Sequence, residues 1–290
     1  MSKHYHILKG ACLAAALALG FDAMACTSLI AAKGATDDGS TMITYAADSH
    51  TLYGELYHQP AADHAPGTMR AVHDWDSGTY RGEIPEAAHT YATIGNMNEH
   101  GLTIAESTWG GRPELEGSGL IDYGSLIYIT LQRARTAREA VDVMTGLVRD
   151  YGYGSSGESF SIADPDEVWV MELIGKGKAD KGAVWVARRV PDGYISGHAN
   201  HARIHRFPQN EPETTIYSPD VIDFARKQGY YKGKDKDFDF SRAYAITDVG
   251  EFARRFGRGV EHRDIHAGVG VVDTEPQDAT HGFGALAVHG

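Results

Sequence analysis

The apolar pattern of this chain changes period twice, and that limits what it can fold into. The early runs "TSLIAAK" and "STMITYAA" alternate or cluster as strands do. Between them, Thr36-Asp37-Asp38-Gly39 carries the Asp-Gly signal of a hairpin. "TYATIGNMN" and "GLTIAEST" repeat the arrangement around the turn Asn98-Glu99-His100-Gly101. Helical spacing then takes over in "GSLIYITLQRAR", and Thr136-Ala137-Arg138-Glu139 is a capping box opening "AREAVDVMTGLVRDYG". Strands return as "SFSIAD", "EVWVMELI" and "AVWVARRV". Segregated blocks without regular βα alternation predict antiparallel sheet packed against helices, an α+β layered fold. The polar, Gly- and Pro-rich segment 59–82 is expected to be a loop that shapes a binding site. "SPDVIDFARKQG" predicts a helix with Ser218 as cap and Pro219 at its first position. From about residue 246 the periodicity decays.

Residues 1–25 read as a leader rather than as part of the fold. Lys3 and Lys9 precede the apolar run "ACLAAALALGF", which is too short to span a bilayer, and Ala23-Met24-Ala25 is a small-x-small cleavage site. Cleavage after Ala25 predicts export to the periplasm or the exterior, no stable membrane insertion afterwards, and a mature chain starting at Cys26. Loss of Lys3, Lys9 and Asp22 takes the formal charge from −12 to −13. So acidic a chain argues against a nucleic-acid partner, which needs clustered Lys and Arg. Cys12 leaves with the leader, so the mature chain keeps one cysteine and forms no internal disulfide.

Two motifs point away from their usual meaning. Gly152-Tyr153-Gly154-Ser155-Ser156-Gly157 fits G-x-G-x-x-G, but a predicted helix precedes it and a strand follows, the reverse of a dinucleotide site. Fifteen histidines include the pairs His198/His201 and His262/His266, yet neither has a third ligand at suitable spacing. Neither a cofactor nor a metal is expected.

Cys26 is the informative residue. At a chain terminus its thiol, with a reference pKa of about 8.5, sits on the same residue as an α-amine of about 7.7–8.0. That amine can take the thiol proton and later return it to a leaving amine. Such a site also needs oxyanion donors and an acceptor that holds the α-amine. Asp48 ends the second strand, where a hairpin returns it beside Cys26; Asn98 sits in the second hairpin turn; Asn200 follows "GYISGHA". Each also has a plain explanation, since Asn in turns and Asp at strand ends commonly serve the backbone.

The segments "ACTSLIAAKGATDDGSTMITYAADSH", "NMNEHGLTIAESTWGGR", "GSLIYITLQRARTAREAV", "YGYGSSGESFSIADPDEVWVMELIGKG" and "KGAVWVARRVPDGYISGHANHARI" run in one order over residues 26–245. They resemble the cysteine dipeptidases (dipeptidase A-like) of the N-terminal-nucleophile hydrolases, relatives of penicillin V acylase and bile salt hydrolase. The resemblance implies an αββα sandwich of antiparallel sheets over residues 26–245 and hydrolysis of dipeptide substrates through a thioester. It also implies Cys26 as nucleophile, Asp48 as anchor of the α-amine, and Asn98 and Asn200 as oxyanion or substrate-positioning groups. A homo-oligomer is compatible with it. Two departures stand out. Tyr45-Ala46-Ala47 occupies the place where many relatives carry an arginine, and the atypical tail 246–290 reads as truncated or frame-shifted, leaving the sandwich incomplete at its C-terminus.

Three alternatives remain open at this level: an N-acyl amide hydrolase with the same nucleophile, a lipoprotein anchored through Cys26, and an inactive fragment. "AMAC" is a poor lipobox, and "TSLIAAK" enters a strand at once, where an anchor needs slack.

Overall fold

In a computed structural model, which describes residues 26–47, 56–245 and 285–287, the chain enters its first strand at Cys26. Strand β1 (Cys26–Ala31) turns alternate side chains inward and outward, as a strand with one covered face must. It pairs antiparallel with β2 (Met42–Ala47), from Ala31 opposite Met42 to Cys26 opposite Ala47. The turn between them is the expected one: Asp38 accepts from the Ser40 backbone and hydroxyl, and Gly39 takes φ 73°.

The segment expected as a loop is in part strand, which corrects that reading for the residues concerned. It contains β3 (His58–Gln59), β4 (Ala62–Asp63) and a hairpin of β5 (Met69–His73) with β6 (Tyr80–Pro85). Each hairpin strand buries one apolar side chain, Val72 or Ile84, too few to register as a period of two. Short strands β7 (His89–Thr90), β8 (Thr93–Ile94) and β9 (Met97–Asn98) lead into β10 (Thr103–Gly110).

Helix α1 (Tyr123–Leu131) starts where Asp122 accepts from Ser125 N at 2.7 Å. Helix α2 (Ala137–Tyr151) opens on the expected cap, with Thr136 Oγ1 accepting from Glu139 N, while Glu139 reaches one residue past it and accepts from Arg135 N. Then come β11 (Gly157–Ala163), β12 (Val168–Gly175), β13 (Ala183–Val190), β14 (Tyr194–His198) and β15 (Thr215–Tyr217). Helix α3 (Val221–Lys227) begins later than predicted. Ser218 bonds the backbone of Trp185 in both directions, so it fastens the chain to β13 and does not cap. Helix α4 (Phe240–Tyr244) and β16 (Ala285–Ala287) complete the described elements.

These strands form an eight-stranded sheet, β15-β13-β12-β11-β10-β9-β8-β3, and a four-stranded sheet, β16-β14-β1-β2. One face of the larger sheet meets α1 and α2 through Ile104, Phe160, Ile162, Trp169 and Met171. Its other face is shared. The smaller sheet covers part of it through Ile30, Ala163, Val168, Val170 and Val190, and α3 and α4 cover another part around Val184, Val186 and Ile174. The fold is therefore an α+β sandwich of antiparallel sheets. Its expected outer helical layer has no counterpart against the smaller sheet among the described residues, where Leu29 and Met42 are exposed. The leader, and all of the tail except β16, lie outside the described residues, as do His262 and His266.

The glycine motif has a packing explanation. Gly152, at φ 80°, ends α2, and the chain after it lies against Gly117 and Gly119. A Cβ on Gly119 would fall 2.1 Å from the carbonyl carbon of Gly152, and one on Gly154 would fall 2.3 Å from Gly119 O. Two backbones meet where side chains do not fit.

Candidate active site

Cys26 is the first residue of β1, faces the larger sheet and is buried. Three interactions locate it. Its backbone nitrogen donates to Asn200 Oδ1 at 2.7 Å. Its carbonyl accepts from Ser107 Oγ at 3.3 Å. Its thiol lies 3.8 Å from Glu106 Oε1.

Asn200 is itself held from several sides. It follows β14 with φ 50°, the one non-glycine residue with positive φ among the described residues, a conformation that asparagine tolerates better than most. Its N–H donates to Ser107 Oγ at 2.8 Å, and its side-chain amide donates to Thr108 O. Just beyond His201, the Arg203 and Ile204 N–H groups donate to the Glu172 carboxylate. Burial pushes Glu172 up to about 7 despite those donors. Nearby, His198 is buried with Nε2 2.7 Å from Ser161 Oγ. Burial first, and then the positive Arg203, push it down to about 3, so the ring is neutral at ordinary pH.

The structure thus joins two of the expected residues and separates a third. Asn200 holds the Cys26 nitrogen, the part expected of Asp48, and its amide NH2 points at Thr108 O. Asp48 follows Ala47, the residue opposite Cys26, but lies outside the described residues. Asn98 has a different job from the one expected. Its Nδ2 donates to Leu131 O and Ala134 O, and its Oδ1 accepts from His100 and Leu102 N–H. With all four interactions spent tying its turn to the end of α1, no polar atom is left over for an oxyanion.

Ser107, Glu106 and Glu158, around Cys26 and its neighbours, carried no motif in the sequence, and Tyr45 entered only as part of Tyr45-Ala46-Ala47. Tyr45 donates to Glu106 Oε1 at 2.7 Å. Ser107 bridges Cys26 and Asn200. Glu106 and Glu158 lie diagonally across the β10–β11 pair, within hydrogen-bonding reach of each other. Burial pushes Glu106 up; burial and then the charge of Glu106 push Glu158 up further. A weak signal was available: acidic residues stand inside β10 and β11, strands otherwise buried on both faces.

The β5–β6 hairpin reaches toward the same region. At its tip Trp75 stacks on Tyr128 at 4.4 Å and packs over Gly124, while Trp75 N donates to Asp122. Asp76 accepts from Tyr123 OH at 2.7 Å and adds negative potential at both Glu106 and Glu158. A cleft of about 820 Å³ is a separate feature, lined by Arg81, Lys178, Lys181 and the glycines at 117–119 and 152–154.

The chain is similar to curated proteins named for peptidase activity. It is 25% identical to a probable dipeptidase of Salmonella dublin over 81% of this chain and 56% of that protein. It is 29% identical to a probable dipeptidase A of Streptococcus pyogenes serotype M3, over 69% and 45% respectively. To a probable dipeptidase of Latilactobacillus sakei it is 27% identical, over 69% and 44%. The chain spans about half the length of these relatives. The sequence profile of peptidase family C69 matches residues 57–257, well over half of the chain, which therefore belongs to that family.

Proposed function

We propose that this chain carries the active site of a cysteine peptidase that hydrolyses dipeptides, with Cys26 as an N-terminal nucleophile freed by removal of residues 1–25 during export. The observation that carries the reading is the seat of Cys26, its nitrogen held at 2.7 Å by Asn200 and its thiol beside buried polar groups at the end of a paired strand. Family membership and the relatives' names support the reaction class.

On this reading the α-amine takes the thiol proton and the thiolate attacks the scissile carbonyl carbon. The tetrahedral intermediate collapses as the α-ammonium protonates the leaving amine, giving a thioester and the second amino acid. Water, deprotonated by the same amine, attacks the thioester; the first amino acid leaves and the thiol regains its proton. Asn200 Oδ1 fixes the direction of the amine throughout, a positioning role in which a misplacement of about 1 Å costs about 100-fold. The lipid-anchor alternative fits poorly: a thiol packed between two sheets has no slack for an acyl chain.

Intact mass and turnover test this together. The exported protein should begin at an unmodified Cys26 and hydrolyse alanyl-alanine, and Cys26→Ala should lower kcat by about 10³-fold or more while remaining folded. Full activity in Cys26→Ala, or added lipid mass on Cys26, sinks the reading.

A further inference from the structure

The carboxyl pair beside Cys26 is difficult to explain as part of the fold. Glu106 and Glu158 are 2% and 1% exposed, and among the described residues neither forms an ion pair with Lys or Arg. Tyr45 OH donates to Oε1 of Glu106, and Thr108 Oγ1 donates to Oε1 of Glu158 at 2.9 Å. The remaining oxygen of each, Oε2, is buried and, apart from the other carboxyl of the pair, meets no donor among the described residues. Two adjacent buried carboxyls cannot both ionise without cost, and burial pushes both toward the protonated form. A pair of buried acids without a counter-charge is normally eliminated from a core. Here the pair persists next to the nucleophile, and the charge of Asp76 pushes both in the same direction. Among the described residues no group of three His, Cys, Asp or Glu side chains is placed to hold a metal ion.

The position suits one kind of ligand. In a dipeptide the amino nitrogen lies about 2.5 Å from the carbonyl carbon that is attacked. A nucleophile approaches that carbon to about 3–3.5 Å. The ammonium of a bound substrate is therefore a few ångströms from the sulfur, and Glu106 Oε1 is 3.8 Å from Sγ. An ammonium brings three donors and one positive charge, the complement of buried carboxyl oxygens short of donors and of a counter-charge.

We propose that the Glu106–Glu158 pair is the subsite that binds the unblocked α-ammonium of the substrate's first residue, making the site selective for peptides with a free N-terminus. The proposal builds on the dipeptide reading above, and it separates that reading from N-acyl amide hydrolysis, because an acylated nitrogen carries no charge.

The test compares alanyl-alanine with N-acetyl-alanyl-alanine in two assays on the processed protein. In turnover, wild type should favour the free dipeptide by about 100-fold or more in kcat/KM, since a polar subsite rejects ligands that leave it unpaired. Glu106→Gln and, independently, Glu158→Gln should lower kcat/KM for the free dipeptide by about tenfold or more beyond any loss on the acetylated one, chiefly through KM, so that the preference for the free dipeptide shrinks by that factor. In calorimetry, the Cys26→Ala variant should bind the free dipeptide and not the acetylated one, and adding Glu106→Gln should abolish that preference. Circular dichroism melts show that each variant is folded. Equal loss on both substrates would mean that the pair acts on the thiol or on the amine of Cys26 and would overturn the proposal, as would equal binding of both ligands by Cys26→Ala. Selective binding without wild-type turnover would uphold the subsite and reject the proposed reaction.

Discussion

The space between the two sheets has two ends of opposite character. At one end Ile30, Ala32, Ala163, Val168, Val170 and Val190 close an apolar contact of the kind that holds sandwiches together. At the other end the same strands bury Cys26, Ser28, Ser107, Ser159, Ser161, Glu172, His198 and Asn200, most of them 3% exposed or less. Each polar group buried there needs a partner, and the partners run in chains: Cys26 to Asn200 to Ser107 and back to Cys26, Glu172 to Arg203 and Ile204, Ser161 to His198. The apolar end contributes stability that depends little on arrangement. The polar end contributes arrangement, and its stability hangs on protonation.

That contrast can be broken in three graded ways. Glu172 gives the largest effect. Its value is raised from about 4.5 in the unfolded chain to about 7 by burial. Its contribution is therefore full below the unfolded value and is lost as pH rises through 7, roughly 3 kcal/mol in all. Urea denaturation of Glu172→Gln should lack that decline, so the stability of the variant relative to wild type rises by roughly 3 kcal/mol between pH 4.5 and 7.5. A pH-independent difference would place the ionisation of Glu172 outside the stability of this end. Asn98→Ala should come next, costing roughly 2 kcal/mol by orphaning the Leu131 and Ala134 carbonyls, with kcat/KM per folded molecule unchanged. A large loss of kcat/KM at full stability would return Asn98 to the active site. Ile30→Val at the apolar end should cost about 1 kcal/mol in thermal unfolding and leave turnover alone. A drop in turnover there would show that the two ends are mechanically coupled through β1.

Legibility in the sequence followed the range of the interaction. The β1–β2 hairpin and the cap of α2 were readable because a few adjacent residues determine them: an Asp-Gly turn in one case, Thr136 and Glu139 in the other. Cys26 stood out because the expected cleavage after Ala25 would place a thiol and a free amine on one residue. What escaped depends on register between distant strands. Glu106 meets Glu158 only because β10 pairs with β11 in one particular alignment, and Tyr45 reaches Glu106 only because the smaller sheet lies over the larger. Asn200 was singled out, but its partner at Cys26, 174 residues away along the chain, was not. Asn98 misled for a related reason: its turn was visible in the sequence, but the α1 carbonyls that absorb its amide were not.

The seam of glycines at 117–119 and 152–154 bears on how such a chain records its history. Any side chain at Gly119 or Gly154 would run into main-chain atoms closer than 2.5 Å, with no rotamer to relieve it. Selection at these positions therefore acts on the absence of a side chain. Relatives that keep the loop of Gly117–Gly119 against the end of α2 should keep the glycines whatever they bind, and a motif spelled G-x-G-x-x-G can persist as the imprint of two backbones in contact, with no nucleotide in its past.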